Sequence, residues 1–250
     1  MNFLLVNDDG IEAEGIKALA SALAKQGNVY VCAPNTQQSG KSHSITLEEK
    51  IIVKQVEFPD AQLAWITSGT PSDCTKVGLQ MCEKNCIDVD MVFSGINMGS
   101  NLGTDTIYSG TVGAAMEAAM KGYKAVAVSV NGHHAKHFDG ACKVATDIID
   151  YINKEVPSNI IININSPDKP LGEIKGVKAA RLGTGFFEDK FVNVGGEQYK
   201  LKGVIPNHKE ADDELDLFHN AHDYITLTPL RFDFTDYEYL DRVKDWRIDL

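Results

Sequence analysis

The 250-residue sequence predicts an α/β protein built on a mostly parallel, doubly wound sheet between helices. Three observations carry this. Short runs apolar on both faces alternate with amphipathic stretches through the first two-thirds of the chain. Their order reads β-α-β and then β-α-β-α-β. The apolar share of 43% is enough for one sizeable core.

Taken in order, the buried strands fall at residues 3–6, 29–33, 91–93, 125–130 and 160–164. Between the first two, Ile16, Leu19, Ala20 and Leu23 share one helical face. Thr70 is placed to cap a helix that Pro71 opens at its first turn. A later helical face gathers Phe138, Ala141, Ala145, Ile148, Ile149 and Ile152. Residues 51–56 and 63–66 interrupt the alternation and read as added strands, a candidate hairpin arm. After Pro167 the pattern turns strand-like and turn-rich, and residues 237–243 read as a short helix. The expectation is a single domain over residues 1–250. Its doubly wound core runs to about residue 170, and a β-rich elaboration with a terminal helix follows over residues 171–250.

The formal net charge of -11 argues against a nucleic-acid polymer or an anionic membrane as partner, because like charges repel. No run approaches the ~18 apolar residues that a membrane span requires. The N-terminus lacks the basic start and long apolar stretch of a secretion signal. Five cysteines, an odd and unevenly spaced set, read as reduced thiols, so a cytoplasmic location is expected. Cys82 and Cys86 lack the second pair that a metal site needs.

Ligands of open parallel sheets bind outside the carboxyl ends of the strands, and three unusual loops lie there. The first, Asn7-Asp8-Asp9-Gly10, sets two carboxylates side by side. It reads as a helix-capping turn or as a pair of hard oxygen ligands suited to Mg²⁺, Mn²⁺ or Ca²⁺ and not to zinc. The second, residues 33–44, is crowded with amides and hydroxyls around Ser39, Gly40 and Lys41. It reads as a polar surface loop or a phosphate cradle. It is no Walker A loop, because the required spacing is absent. The third, residues 94–111, is long and rich in Gly, Asn and Ser/Thr, and it runs into an Ala-rich helix. The start of that helix, Ser109-Gly110-Thr111, offers N–H groups and a positive dipole end to an anion. The histidines at 133, 134, 137, 219 and 222 are expected to be solvated or capping groups.

The loops also carry a family likeness. Val6-Asn7-Asp8-Asp9-Gly10 with Gly15-Ile16, Ala33-Pro34 before Gln38-Ser39-Gly40, and Gly69-Thr70-Pro71 with Asp73-Cys74 are its first marks. The stretch from Ser94-Gly95-Ile96-Asn97 through Glu117-Ala118 and the segment 224–230 complete it. The chain resembles the SurE family of 5′-nucleotidases over nearly its full length. The resemblance implies a Rossmann-like core and one divalent cation per subunit, Mg²⁺ or Mn²⁺, on residues matching Asp8, Asp9, Ser39 and Asn97. Asp8 and Asp9 would be catalytic, with Gly40, Ser109, Gly110 and Thr111 lining the phosphate. It implies hydrolysis of nucleoside 5′-monophosphates, extending in some members to 3′-monophosphates and short polyphosphates. It also implies a homodimer or homotetramer formed through the C-terminal segment. Two positions depart from the family pattern: Glu14 stands where proline is common, and Asp223 where glycine is usual. Two other readings compete. One is an aspartyl-nucleophile phosphatase, whose Asp-x-Asp signature the adjacent pair does not match. The other is a nucleotide-sensing module that binds without turnover.

Overall fold

Side-chain alternation along β1 (Asn2–Val6) sets the layer plan of this computed structural model, which describes residues 1–184, 188–204 and 212–248. Phe3 and Leu5 enter one core layer, Leu4 and Val6 the other, and all four are fully buried. The first layer packs under α1 (Glu14–Leu23), α4 (Asp139–Asp147) and α5 (Ile149–Glu155). The second packs under α2 (Pro71–Lys84) and α3 (Gly110–Met120).

Nine strands form the sheet. From one edge they run β3 (Val53–Val56), β4 (Leu63–Thr67), β2 (Asn28–Pro34), β1, β5 (Met91–Met98), β6 (Lys124–Val130), β7 (Ile161–Ser166), β11 (Tyr224–Leu230) and β8 (Gly176–Ala179). The six from β4 to β7 are parallel; β3 runs against β4 and β11 against β7, while β8 lies parallel to β11. This is the Rossmann-like, mostly parallel sheet expected. The strand order reverses between β1 and β5, so the crevice at that switch point opens beside the loops after Val6 and Met98. A separate antiparallel hairpin is formed by β9 (Glu188–Gly195) and β10 (Gln198–Val204).

Three expectations change. Residues 53–56 and 63–67 do pair as a hairpin, but β4 also pairs with β2, so they extend the main sheet and form no free arm. The helical face from Phe138 to Ile152 is divided in two at Ile148. Thr146 explains the break physically, since its hydroxyl bonds back to the Cys142 carbonyl at 3.1 Å, a contact that bends helices. Thirdly, β5 does not stop at Phe93. It continues through a register shift between Ser94 and Asn97, and Asn97 and Met98 still pair with Ser129 and Val130. Thr70 caps α2 in a reciprocal box with Asp73, as its sequence foretold.

The chain ends in α7 (Tyr237–Lys244), and every residue from 231 to 248 is exposed. Among the described residues no helix is long and apolar enough to cross a membrane, and all five cysteines are free thiols.

Candidate active site at the sheet switch point

Asp8 follows β1 directly and is only 3% exposed. Its carboxylate faces the start of α3. The Thr111 hydroxyl donates to Asp8 Oδ1 at 2.5 Å, and a Cβ on Gly110 would stand 3.0 Å from Oδ2. Glycine is what lets the helix come so close. Ser109 caps α3, its hydroxyl accepting the Val112 N–H at 3.1 Å. The positive end of the helix dipole therefore falls on Asp8. Burial is nonetheless the largest influence and raises the pKa. The Thr111 bond lowers it, the charge of Asp9 raises it again, and the carboxyl ends pushed up to about 6.

Asp9 turns the other way. Its Oδ2 accepts the Met98 N–H at 2.8 Å and its Oδ1 accepts from Gln37 Nε2 at 3.2 Å. Burial raises its pKa too, partly offset by those two bonds and by His133. Asn97, one residue before Met98, is aimed by the irregularity in β5. Its amide nitrogen donates to the Gly99 carbonyl at 2.7 Å, which leaves Oδ1 as an acceptor.

The loop that carries Ser39 and Gly40 is pinned at both ends. At one, the Gln38 N–H donates to the Asp8 carbonyl at 2.7 Å. At the other, Ser42 donates through its N–H to the Tyr108 carbonyl at 3.0 Å and through its hydroxyl to the Ile107 carbonyl at 2.6 Å. A Cβ on Gly113 would stand 2.6 Å from the Ser42 carbonyl, so α3 also needs glycine where this loop crosses it. Glu117, a buried carboxylate on α3, holds His43 Nε2 at 3.0 Å and accepts from Lys76 Nζ at 2.6 Å.

Asp8, Gly110 and Thr111 are thus in direct contact, and Asp9 is tied to the end of β5 beside Asn97. Ser39 and Gly40 lie exposed between the two anchors, and among the described residues no hydrogen bond joins either to Asp8 or Asp9. The hydroxyls of Ser109 and Thr111 are spent on the helix cap and on Asp8, so what this turn can offer an anion is backbone N–H, chiefly that of Gly110.

Sequence reasoning passed over several residues. Glu117 had a readable signal, as the one charged side chain in an otherwise small and apolar helix. His133 had none; it stands near Gly99 and exerts its charge on Asp9, unlike His137, which pairs with Asp168, and His222, which bonds the Phe218 carbonyl. Asp216 was also missed. It is fully buried, accepts the N–H groups of Gly103, Gly183 and Leu217, and so ties the third loop to the C-terminal region.

The donors at the switch point are hard oxygens: two carboxylates and the Asn97 carbonyl oxygen. Burial works against ionised Asp8, and a hard divalent cation beside it would relieve that cost, so these residues fit one. Among the described residues no cluster of three or more His, Cys, Asp or Glu is assembled, so the charged ligands the switch point brings together are the two carboxylates alone.

The pattern of the family described as Survival protein SurE matches residues 3–189 of this chain. The chain belongs to the SurE family. A 5′-nucleotidase SurE of Clostridium botulinum (strain 657 / Type Ba4) is 41% identical over 253 residues, covering 98% of each chain. A 5′-nucleotidase SurE of Pelotomaculum thermopropionicum is 36% identical over 98% of this chain and 94% of its own. The crystal structure of the SurE protein from Aquifex aeolicus matches with a TM-score of 0.85 at 34% identity, over 98% of both chains. Both departures from the usual SurE residues are absorbed by the backbone. Glu14 opens α1, where an acidic side chain suits the helix dipole as well as proline suits the turn. Asp223 adopts φ +70, the left-handed conformation that aspartate tolerates, and its carboxylate meets Lys169 Nζ at 2.9 Å.

Proposed function

We propose that this chain is a divalent-metal-dependent phosphomonoesterase that releases phosphate from nucleoside 5′-monophosphates, with 3′-monophosphates and short polyphosphates as further substrates. The observation that carries the reading is the adjacent carboxylate pair at the switch point, with Asp8 buried against the N-terminus of α3. A helix cap needs one such side chain, and Ser109 already caps α3. A second, half-buried carboxylate beside Asp8 raises its cost, which is sensible only where a cation is held. The names of the Clostridium and Pelotomaculum relatives support the activity.

Asp8 and Asp9 would hold the cation, with Ser39 and Asn97 as neutral oxygen donors. When bound, Mg²⁺ or Mn²⁺ stabilises charge on the phosphoryl oxygens. Thr111 keeps Asp8 in one rotamer by its hydroxyl bond, and the Met98 N–H and Gln37 do the same for Asp9. The Gly110 and Gly40 backbones would offer their N–H groups to the phosphate, and preorganised donors of this kind stabilise a transition state without reorganising. Asp8→Asn or Asp9→Asn is expected to lower turnover by about 10²-fold or more, and chelation to abolish it. A phosphate-release assay on a panel of nucleoside monophosphates, with and without chelator, tests both. Full activity after exhaustive chelation or in either variant contradicts the reading. Tight nucleotide binding with no release from any substrate replaces it with a sensing module.

A further inference from the structure

Among the described residues, two large apolar side chains beside the proposed phosphate site stay largely exposed. Ile107 is 60% and Tyr108 68% exposed, although their backbone is firmly held. They close the short 3-10 helix Gly103–Tyr108, whose first N–H is bonded to Asp216 at 2.8 Å and whose Thr106 hydroxyl bonds back to Gly103. Both of their carbonyls accept from Ser42. The backbone faces inward to the Ser39 loop, while the side chains keep to the surface. Burying neither side chain forgoes stability that a foldable loop would normally take.

We propose that Ile107 and Tyr108 form a platform on which the base of the nucleotide stacks. This rests on the phosphatase reading, since it takes the phosphate to lie at Asp8, Asp9 and Gly110. Tyr108 is two residues from Gly110, so their backbones are at most about 7 Å apart, a separation that a ribose can bridge. An aromatic face with no charge at its tip contacts the π-face of any base and reads none of its edges. The platform thus supplies affinity for a nucleoside while leaving purines and pyrimidines poorly distinguished. A subunit contact is the rival occupant. The exposed apolar tail of the chain does not favour it, because that tail leaves at the amino ends of the parallel strands, where Leu230 pairs with Ile161 at the start of β7, while the phosphate site lies at their carboxyl ends.

The test compares adenosine 5′-monophosphate with ribose 5-phosphate, which keeps the phosphate and sugar and lacks the base. Tyr108→Ala is expected to lower the ratio of kcat/KM for the nucleotide over the sugar phosphate by about 5- to 100-fold, mainly through KM. Tyr108→Phe should restore the ratio, since the ring and not the hydroxyl does the stacking. An unchanged ratio in Tyr108→Ala overturns the proposal. So does a variant that loses its assembly state by light scattering with equal losses on both substrates, which makes the patch a subunit contact. If the unaltered protein hydrolyses neither compound, the phosphatase reading fails instead. The platform is then decided by equilibrium binding: preference for the nucleotide over ribose 5-phosphate must fall in Tyr108→Ala, and equal preference in both proteins overturns it.

Discussion

Asp8 is under opposed demands, and their balance makes the site sensitive to pH. Burial favours the neutral acid, while the Thr111 hydroxyl and the α3 dipole favour the ion. Without a cation the folded-state pKa, about 6, lies above the ordinary 3.8. A raised acid contributes stability that is fully present below pH ~4 and is lost as the pH rises through about 6, on the order of 3 kcal/mol for this shift. A cation must displace the proton, so its stabilising effect grows over the same window. The rise in Tm on adding Mn²⁺ to metal-free protein should therefore be clearly larger at pH 7.5 than at pH 5. Thermal melts at fixed metal concentration measure this, and equal increments at the two values contradict it. At this scale the sequence was legible where chemistry is unusual: two adjacent carboxylates after a buried strand announce themselves. Thr111 was not, because nothing in Ser109-Gly110-Thr111 tells a hydroxyl aimed at a phosphate from one spent on a carboxylate 103 residues away.

Among elements, the loop carrying Ser39 depends on α3 more than on its own sequence. Its tip makes few contacts, and what fixes it is the run from Ser42 to His43 laid across Gly113 and clasped by Glu117. Glu117 also holds Lys76 of α2, so one carboxylate joins two helices and a loop. Both partners of Glu117 are about a third exposed, which puts the clasp below a fully buried pair in worth. Glu117→Ala should cost on the order of 2 kcal/mol in urea denaturation. It should also raise KM for a nucleoside monophosphate by about 10-fold with a smaller change in kcat, because the loop is loosened while Asp8 and Asp9 stay in place. Glu117→Gln keeps a hydrogen-bonding amide and should recover most of the KM. A loss confined to kcat, or none, would remove Glu117 from any positioning role. Element boundaries show what periodicity can and cannot carry. β1, β2, β6 and β7 were readable within a residue or two because both faces are apolar. The end of β5 was hidden since Ser94, Gly95 and Asn97 look like loop residues, although Ser94 and Asn97 still pair with β6. The break at Ile148 was hidden too, since no Gly or Pro marks it.

For the whole molecule, the sheet separates two tasks. The carboxyl ends of the parallel strands hold Asp8, Asp9 and Asn97. The chain leaves β11 at the opposite end of those strands, where a groove is lined by Asn159 and residues 231–235. Phe234 in its lining is 87% exposed, Trp246 and Ile248 beyond it 57% and 72%, and Tyr237, Leu240 and Val243 recur every third residue of α7 and stay exposed. The exposure of residues 231–248 favours a neighbouring subunit over the chain's own core as the cover for a tail of this apolarity. The β9–β10 hairpin, with Phe191 and Tyr199 exposed, is a further candidate contact. It belongs to the 185–215 stretch, of which residues 185–187 and 205–211 lie outside those described. We expect a homodimer or homotetramer in which residues 232–250 pack on a partner, residues 249 and 250 being outside the described chain. Among the described residues none from 231 to 248 belongs to the core, so the fold should survive truncation after Leu230. The assembly should not, because the body and the tail each lose their buried apolar partner. Light scattering on the full-length and truncated proteins at micromolar concentration measures this. The full-length protein should be a stable oligomer and the truncated one mainly monomer or aggregate. A monomeric full-length protein, or a truncated one still assembled to the same size, would show that the exposed tail serves something other than self-association.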